Sequence, residues 1–119
     1  MKEIKIYEQA LKEDGSFFKE HKLNGTLFRA YKNQKKTENK LIDFDDAIWD
    51  TDIEPIASTF KANGITEFTV SSTFSGMIKI LSEFEKHGFK VSGLTEVKTP
   101  YTDYTTGKQE TAPAIRMSL

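Results

Sequence analysis

Six carboxylates fall in one short stretch, Asp43, Asp45, Asp46, Asp50, Asp52 and Glu54, and no Lys or Arg lies between Leu41 and Phe60. Clustered carboxylates can bind a hard cation or share protons as acid and base. The run has no D-x-[DN]-x-[DN]-G loop followed by a Glu ligand, so it is not an EF-hand. On a helix, Asp46, Asp50 and Glu54 would stack at i, i+4 spacing and repel unless something positive faced them. The simplest reading is a set of helix caps and first-turn acids favoured by the macrodipole. The functional readings are a basic protein or peptide partner, or a metal.

A second candidate is Ser71-Ser72-Thr73-Phe74-Ser75-Gly76, which joins an expected strand to an expected helix. At the carboxyl end of a strand, free N–H groups and hydroxyls can hold an anion. Ser71, Ser72, Thr73, Ser75 and Gly76 are therefore the alternative site, although the glycine patterns of phosphate and dinucleotide loops are missing. The plainer reading makes Ser72 or Thr73 an N-cap and Gly76 a close-packing position. His21 and His87 are the only histidines, and neither has a neighbouring nucleophile or ligand pattern. No catalytic residues, metal ligands or cofactor are expected.

Composition narrows the classes further. The chain has 119 residues, 17 Lys+Arg against 18 Asp+Glu, and no Cys, which excludes disulfides, thiolate metal sites and thiol nucleophiles. With 12% aromatic residues, nine of them Phe, it can fill a core despite a modest apolar fraction. Residues 1–40 carry a net +4 and residues 41–60 a net −6, an asymmetry the two blocks can satisfy against each other. Nucleic-acid binding through Lys32, Lys35, Lys36 and Lys40 ranks last on this balance. No apolar run is long enough to span a bilayer and no signal-peptide core opens the chain, so a cytoplasmic location is expected.

The elements that must position these residues are clearest in the second half. Ile53, Ile56, Ala57 and Phe60 recur at helical spacing, with Asp52 as N-cap and Asn63-Gly64 as the stop. Trp49, one turn upstream, falls on the same stripe and is expected in the core. Glu67 to Ser71 alternates as a strand. Phe74, Met77, Ile78, Leu81 and Phe84 mark a second helix ending at His87-Gly88. Lys90 to Val97 is a strand in which Gly93 signals a bulge or close approach, Asp103 to Lys108 is a hairpin turn, and Glu110 to Ser118 returns. Pro113 places that return strand at an edge.

In the N-terminal third, Ile4, Tyr7 and Leu11 suit a helix, though Ile4-Lys5-Ile6-Tyr7 suits a strand equally. Phe17, Phe18 and His21 suit a short helix stopped by Asn24-Gly25, and Thr26 to Thr37 a longer one. Leu41 to Phe44 reads as an extended link. The expectation is a single α/β (α+β) domain over residues 1–119. It would be a two-layer α-β-α-β-β core (41–119) with a mixed three-stranded sheet, helices on one face and a basic, mainly helical region over 1–40. Phe68, Val70, Val91, Val97, Ile115 and Met117 would form the apolar face, and Glu67, Thr69, Lys90, Ser92, Glu96 and Arg116 the other. Tyr101 and Tyr104, at the hairpin, are expected to be exposed.

Leu41-Ile-Asp-Phe-Asp-Asp-Ala-Ile-Trp-Asp50, Glu67-Phe-Thr-Val-Ser-Ser-Thr-Phe-Ser-Gly76 and Gly93-Leu-Thr-Glu-Val97 together resemble a family of small uncharacterised proteins of plasmids, conjugative elements and gut or Gram-positive bacteria. The resemblance covers about residues 41–119 and brings no activity with it. It implies an accessory protein of a mobile element or phage, acting on host or phage macromolecules, for example as an inhibitor of a defence system such as CRISPR. The leading expectation is thus a non-enzymatic protein-binding factor whose contacts are Asp43, Asp45, Asp46, Asp50, Tyr101 and Tyr104. The rival is a small anionic-ligand site or enzyme at Ser71–Gly76. A homo-oligomer stays open.

Overall fold

A computed structural model describes residues 3–119; the first two residues of the expected N-terminal region lie outside it. The elements are helices α1 (Lys5–Lys12), α2 (Gly15–Glu20) and α3 (Gly25–Thr37), strand β1 (Asp43–Phe44), a 3-10 turn (Asp50–Asp52), α4 (Ile53–Ala62), β2 (Glu67–Val70), α5 (Met77–Lys86), β3 (Lys90–Thr102) and β4 (Gln109–Ser118). The ambiguous first segment is therefore helical. Asn24 does not stop α2 but starts α3, its side-chain oxygen accepting the Leu27 N–H at 2.8 Å.

The phenylalanines account for the core. Phe68 on β2 packs against the rings of Phe44, Phe60, Phe84 and Phe89 at centroid separations of 5.5, 5.4, 5.0 and 5.4 Å. Tilted and edge-on pairs of this kind each add roughly 0.5–1.5 kcal/mol beyond the area they bury. One cluster of buried side chains runs from Ile4 through Leu27, Tyr31 and Phe60 to Met117, so α1 and α3 extend the same core. Inside that extension the Tyr31 hydroxyl donates to Glu8 at 2.6 Å, and Lys35 pairs with the same carboxylate. Those contacts, Lys35 first, hold the Glu8 carboxyl below its usual range, while burial raises the Tyr31 phenol.

The sheet has four strands rather than three, in the order β1-β2-β4-β3. The link at Asp43-Phe44 is itself a strand, parallel to β2 with Asp43 opposite Thr69 and Phe44 opposite Val70. β2 and β3 share a direction, but β4 lies between them, antiparallel to both. The return strand is therefore internal and not an edge. Pro113 is tolerated there because β2 pairs only with residues 115–118 of β4, so beside Pro113 one flank of the strand is open.

A bulge at Gly93, whose φ of +148° suits glycine, shifts the register between Val91 and Gly93. Beyond it every side chain changes face. Val91 stands opposite Met117 on the helix side and is exposed, whereas Val97 stands opposite Ala112 on the other face and is buried. Glu96 changes sides for the same reason. The second face is not free of helices either. α3 packs against β1 and against β3, burying Asp43 and Thr69 at that corner. Asn39, just past α3, donates to the Lys98 carbonyl at 2.8 Å and accepts the Lys98 N–H at 3.0 Å. One side-chain amide thus pairs with the outer edge of β3 as a neighbouring strand would, joining that edge to the segment that leads into β1.

Candidate functional site

Parallel strands β1 and β2 end side by side, and a cleft of about 220 Å³ opens there between α3 and the outer half of β3. Asp43 lies in it and is 8% exposed. Its carboxylate accepts the Thr69 hydroxyl at 2.7 Å and the Ser71 hydroxyl at 2.6 Å. Burial pushes the Asp43 carboxyl up, the two hydroxyls draw it down, and nearby Asp45 adds to the rise. Asp45 accepts from the Asn33 amide at 3.1 Å and faces Arg29 Nε at 3.5 Å. Gln34, Asn39, Lys98 and Tyr101 complete the walls.

A second cleft, about 390 Å³, adjoins the first and shares Arg29 and Asp45 with it. Trp49 stands in its wall and is 67% exposed, contrary to the core position its spacing suggested. The helical stripe does not reach back to it, because a 3-10 turn intervenes at Asp50–Asp52. Asp52 is not the side-chain cap of α4 either. Its carboxylate, 7% exposed, accepts the Trp49 N–H at 2.9 Å, the Thr26 hydroxyl at 2.8 Å and the Asn24 amide at 2.8 Å. The exposed indole is thus carried on an anchored backbone. Ser72 anchors the preceding residues, its hydroxyl lying 2.8 Å from the Asp46 carbonyl and 3.2 Å from that of Phe44.

Two site hypotheses that are far apart in sequence meet here. Asp43 and Asp45 of the acidic block, Ser71 of the strand–helix junction and Tyr101 of the hairpin all line the first cleft. Asp46 and Asp50 lie exposed on the Trp49 loop, Asp46 facing Arg29 at 3.7 Å and Asp50 facing Lys79 at 3.3 Å. Tyr104 is fully exposed at the hairpin tip and lines neither cleft. At the junction, the Ser71 and Ser72 hydroxyls are engaged in tying β2 to β1. Thr73 and Ser75 are exposed, and α5 starts from Gly76 at φ +79° with no side-chain cap, so neither Ser72 nor Thr73 caps it.

Asn33, Gln34, Asn39, Arg29 and Lys98 were not evident as site residues. Their one local signal is the Asn33-Gln34 amide pair inside an otherwise cationic helix. Asn39 and Lys98 are joined only by tertiary structure. His21 sits on the surface, stacked on Phe17 at 4.1 Å with Nδ1 3.0 Å from the Phe17 carbonyl, and His87 caps the end of α5. Among the described residues no three His, Asp or Glu gather as a metal site, and no helix is long and apolar enough to cross a membrane.

The fold and clefts define a mixed α/β protein with a four-stranded sheet and a polar site at its parallel strand ends. The family of a domain of unknown function, DUF7698, matches the chain over residues 26–119, and the chain belongs to it. No curated protein and no solved structure gives a match.

Proposed function

We propose that this protein is a non-enzymatic protein-binding factor whose contact surface is the Trp49 loop together with the two adjoining clefts. The observation that carries the reading is the exposed Trp49 indole, held by a backbone hydrogen bond to buried Asp52 and flanked by Asp46 and Asp50. An exposed tryptophan on an anchored loop loses little freedom on docking, and Trp, Tyr and Arg are the residues that dominate interface energetics. Trp49, Arg29 and Tyr101 border one continuous pair of clefts. The exposed acids favour a partner with a basic surface.

In the setting that the sequence resemblance implies, the partner would be a host protein such as a component of a defence system; that part rests on the resemblance alone. The test is affinity capture from the host lysate after nuclease treatment, with the wild-type chain, Trp49→Ala and the Asp46→Lys/Asp50→Lys double variant run in parallel. A stoichiometric protein held by the wild type and lost by both variants is the expected result. Equal recovery by all three overturns the assignment of this surface.

A further inference from the structure

We infer that the first cleft receives a positively charged side chain, arginine or lysine, supplied by the partner protein. This deepens the reading above and rests on it. Two residues that line the cleft, on different elements, lack the same thing. The first is the Asp43 carboxylate on β1, which has two hydroxyl donors and, among the described residues, no Lys, Arg or His within 4.0 Å. A buried carboxylate is normally compensated by a cation as well as by hydrogen bonds.

The second is Gln34 on α3, which is 3% exposed. Its Nε2 donates to the carbonyls of Asn39 at 3.2 Å and Lys40 at 3.3 Å, which identifies the other end of the amide as oxygen. That Oε1 is buried with no hydrogen-bond partner. A buried acceptor left unpaired costs about 1–3 kcal/mol.

Both deficits are of donors. Asp45 adds a second carboxylate to the same cleft, shared with the Arg29 and Asn33 contacts already described. Arg29 and Lys98 also line the cleft, but Arg29 is engaged by Asp45 and Asp46, Lys98 is exposed, and neither pairs with Asp43, so a guanidinium or ammonium group would bring the buried acceptors donors and charge together. Among the described residues fewer than three carboxylate or imidazole ligands gather there, and a hard cation needs more oxygen ligands than this, so an organic cation fits better than a metal ion. The volume of about 220 Å³ suits the end of one side chain and is below that of most cofactor sites. Tyr101 at the rim offers an aromatic surface, which favours arginine over lysine.

The test is a two-dimensional NMR titration of the ¹⁵N-labelled full chain with capped Gly-Arg-Gly, capped Gly-norleucine-Gly and agmatine. The arginine peptide is expected to give saturable shifts at the amides of Asn39, Asp43, Ser71 and Lys98, and the norleucine peptide none. Asp43→Asn and, independently, Asp45→Asn should each weaken the arginine peptide at least fivefold, with thermal melts verifying that both fold, while Glu85→Gln on the exposed side of α5 changes it less than twofold. Equal response to norleucine, or no loss in either cleft variant, overturns the proposal. Agmatine, which carries the same guanidinium arm, should shift the same amides and compete with the peptide; failure to compete would place the peptide elsewhere and overturn the proposal. If partner capture is insensitive to Trp49 while the arginine titration holds, the wider contact surface fails and the cleft stands.

Discussion

Asp52 and Asp43 are buried to almost the same degree, yet their surroundings differ. Asp52 has three donors from three separate places, the start of α3, its first turn and the Trp49 backbone, and it fastens those elements together. Asp43 has two hydroxyls, both on the neighbouring strand β2 or its extension, and the remaining side of its carboxylate belongs to a cleft. A carboxylate that closes its hydrogen-bond requirements inside the fold is a structural joint. One that leaves them partly open at the end of parallel strands is a place where another molecule can complete them.

The strongest way to break this contrast is Asp52→Ala. It strands the Trp49 N–H and the Asn24 and Thr26 donors together, and we expect a loss of about 3 kcal/mol in chemical denaturation. A loss below 1 kcal/mol would remove Asp52 as a joint. Next is Asn39→Ala, which frees both backbone groups of Lys98 at the edge of β3. We expect a loss of about 1–2 kcal/mol and concentration-dependent self-association in analytical ultracentrifugation, since an uncovered strand edge pairs readily. A monomer at every concentration would show that the edge is protected by other means.

Asp43→Asn should act in the opposite direction from Asp52→Ala. The folded-state value of Asp43 is raised above that of the unfolded chain, so the native state holds its proton more tightly. Ionisation therefore opposes folding at pH 7, and that penalty disappears as pH falls through the raised value. The variant should melt about 3 °C higher at pH 7, on the order of what 0.5–1 kcal/mol gives at this length, with the difference closing in acid. Glu8 has the reverse sign: its depressed value means that its contribution is present above the unfolded value and is lost as pH falls through the lower folded one. A Glu8→Gln variant should accordingly lose stability at pH 7 and converge on the wild type in strong acid. The smallest effect is expected for Trp49→Ala, within about 0.5 kcal/mol of wild type. The single tryptophan should also emit like indole in water, and a blue-shifted spectrum would return Trp49 to the core.

Local chemistry made much of the fold legible. The apolar spacing of Ile53, Ile56 and Phe60, the alternation at Glu67–Val70, the glycine stop at Gly88 and the turn at Asp103–Lys108 are short-range signals, and each stands where its pattern placed it. The features that were not legible depend on residues far apart in the chain. Strand β1 is two residues long, and only its register with Thr69 and Val70 makes it a strand. β4 lies between β2 and β3 because of which edges pair, a choice that Pro113 alone does not report. The face exchange of Glu96 and Val97 follows from one bulge residue. Of the site, the carboxylates and Tyr101 were readable as residue types. Gln34 and Asn39 were not, since a single amide in a polar helix or loop looks the same whether it is solvated or enclosed.

The Asn39–Lys98 pairing also bears on how the molecule moves. Among the described residues no other side chain outside the β3–β4 hairpin hydrogen-bonds to β3, so this amide works as a clasp on a long ribbon. Releasing it would break two hydrogen bonds and leave the hairpin's own ladder intact, a local opening far below the cost of global unfolding. The wall of the cleft nearest Lys98 can therefore shift without unfolding the sheet. Exchange of the Lys98 amide with solvent, compared with that of its ladder-bonded neighbours, would report how often the clasp opens and a bulky side chain can pass.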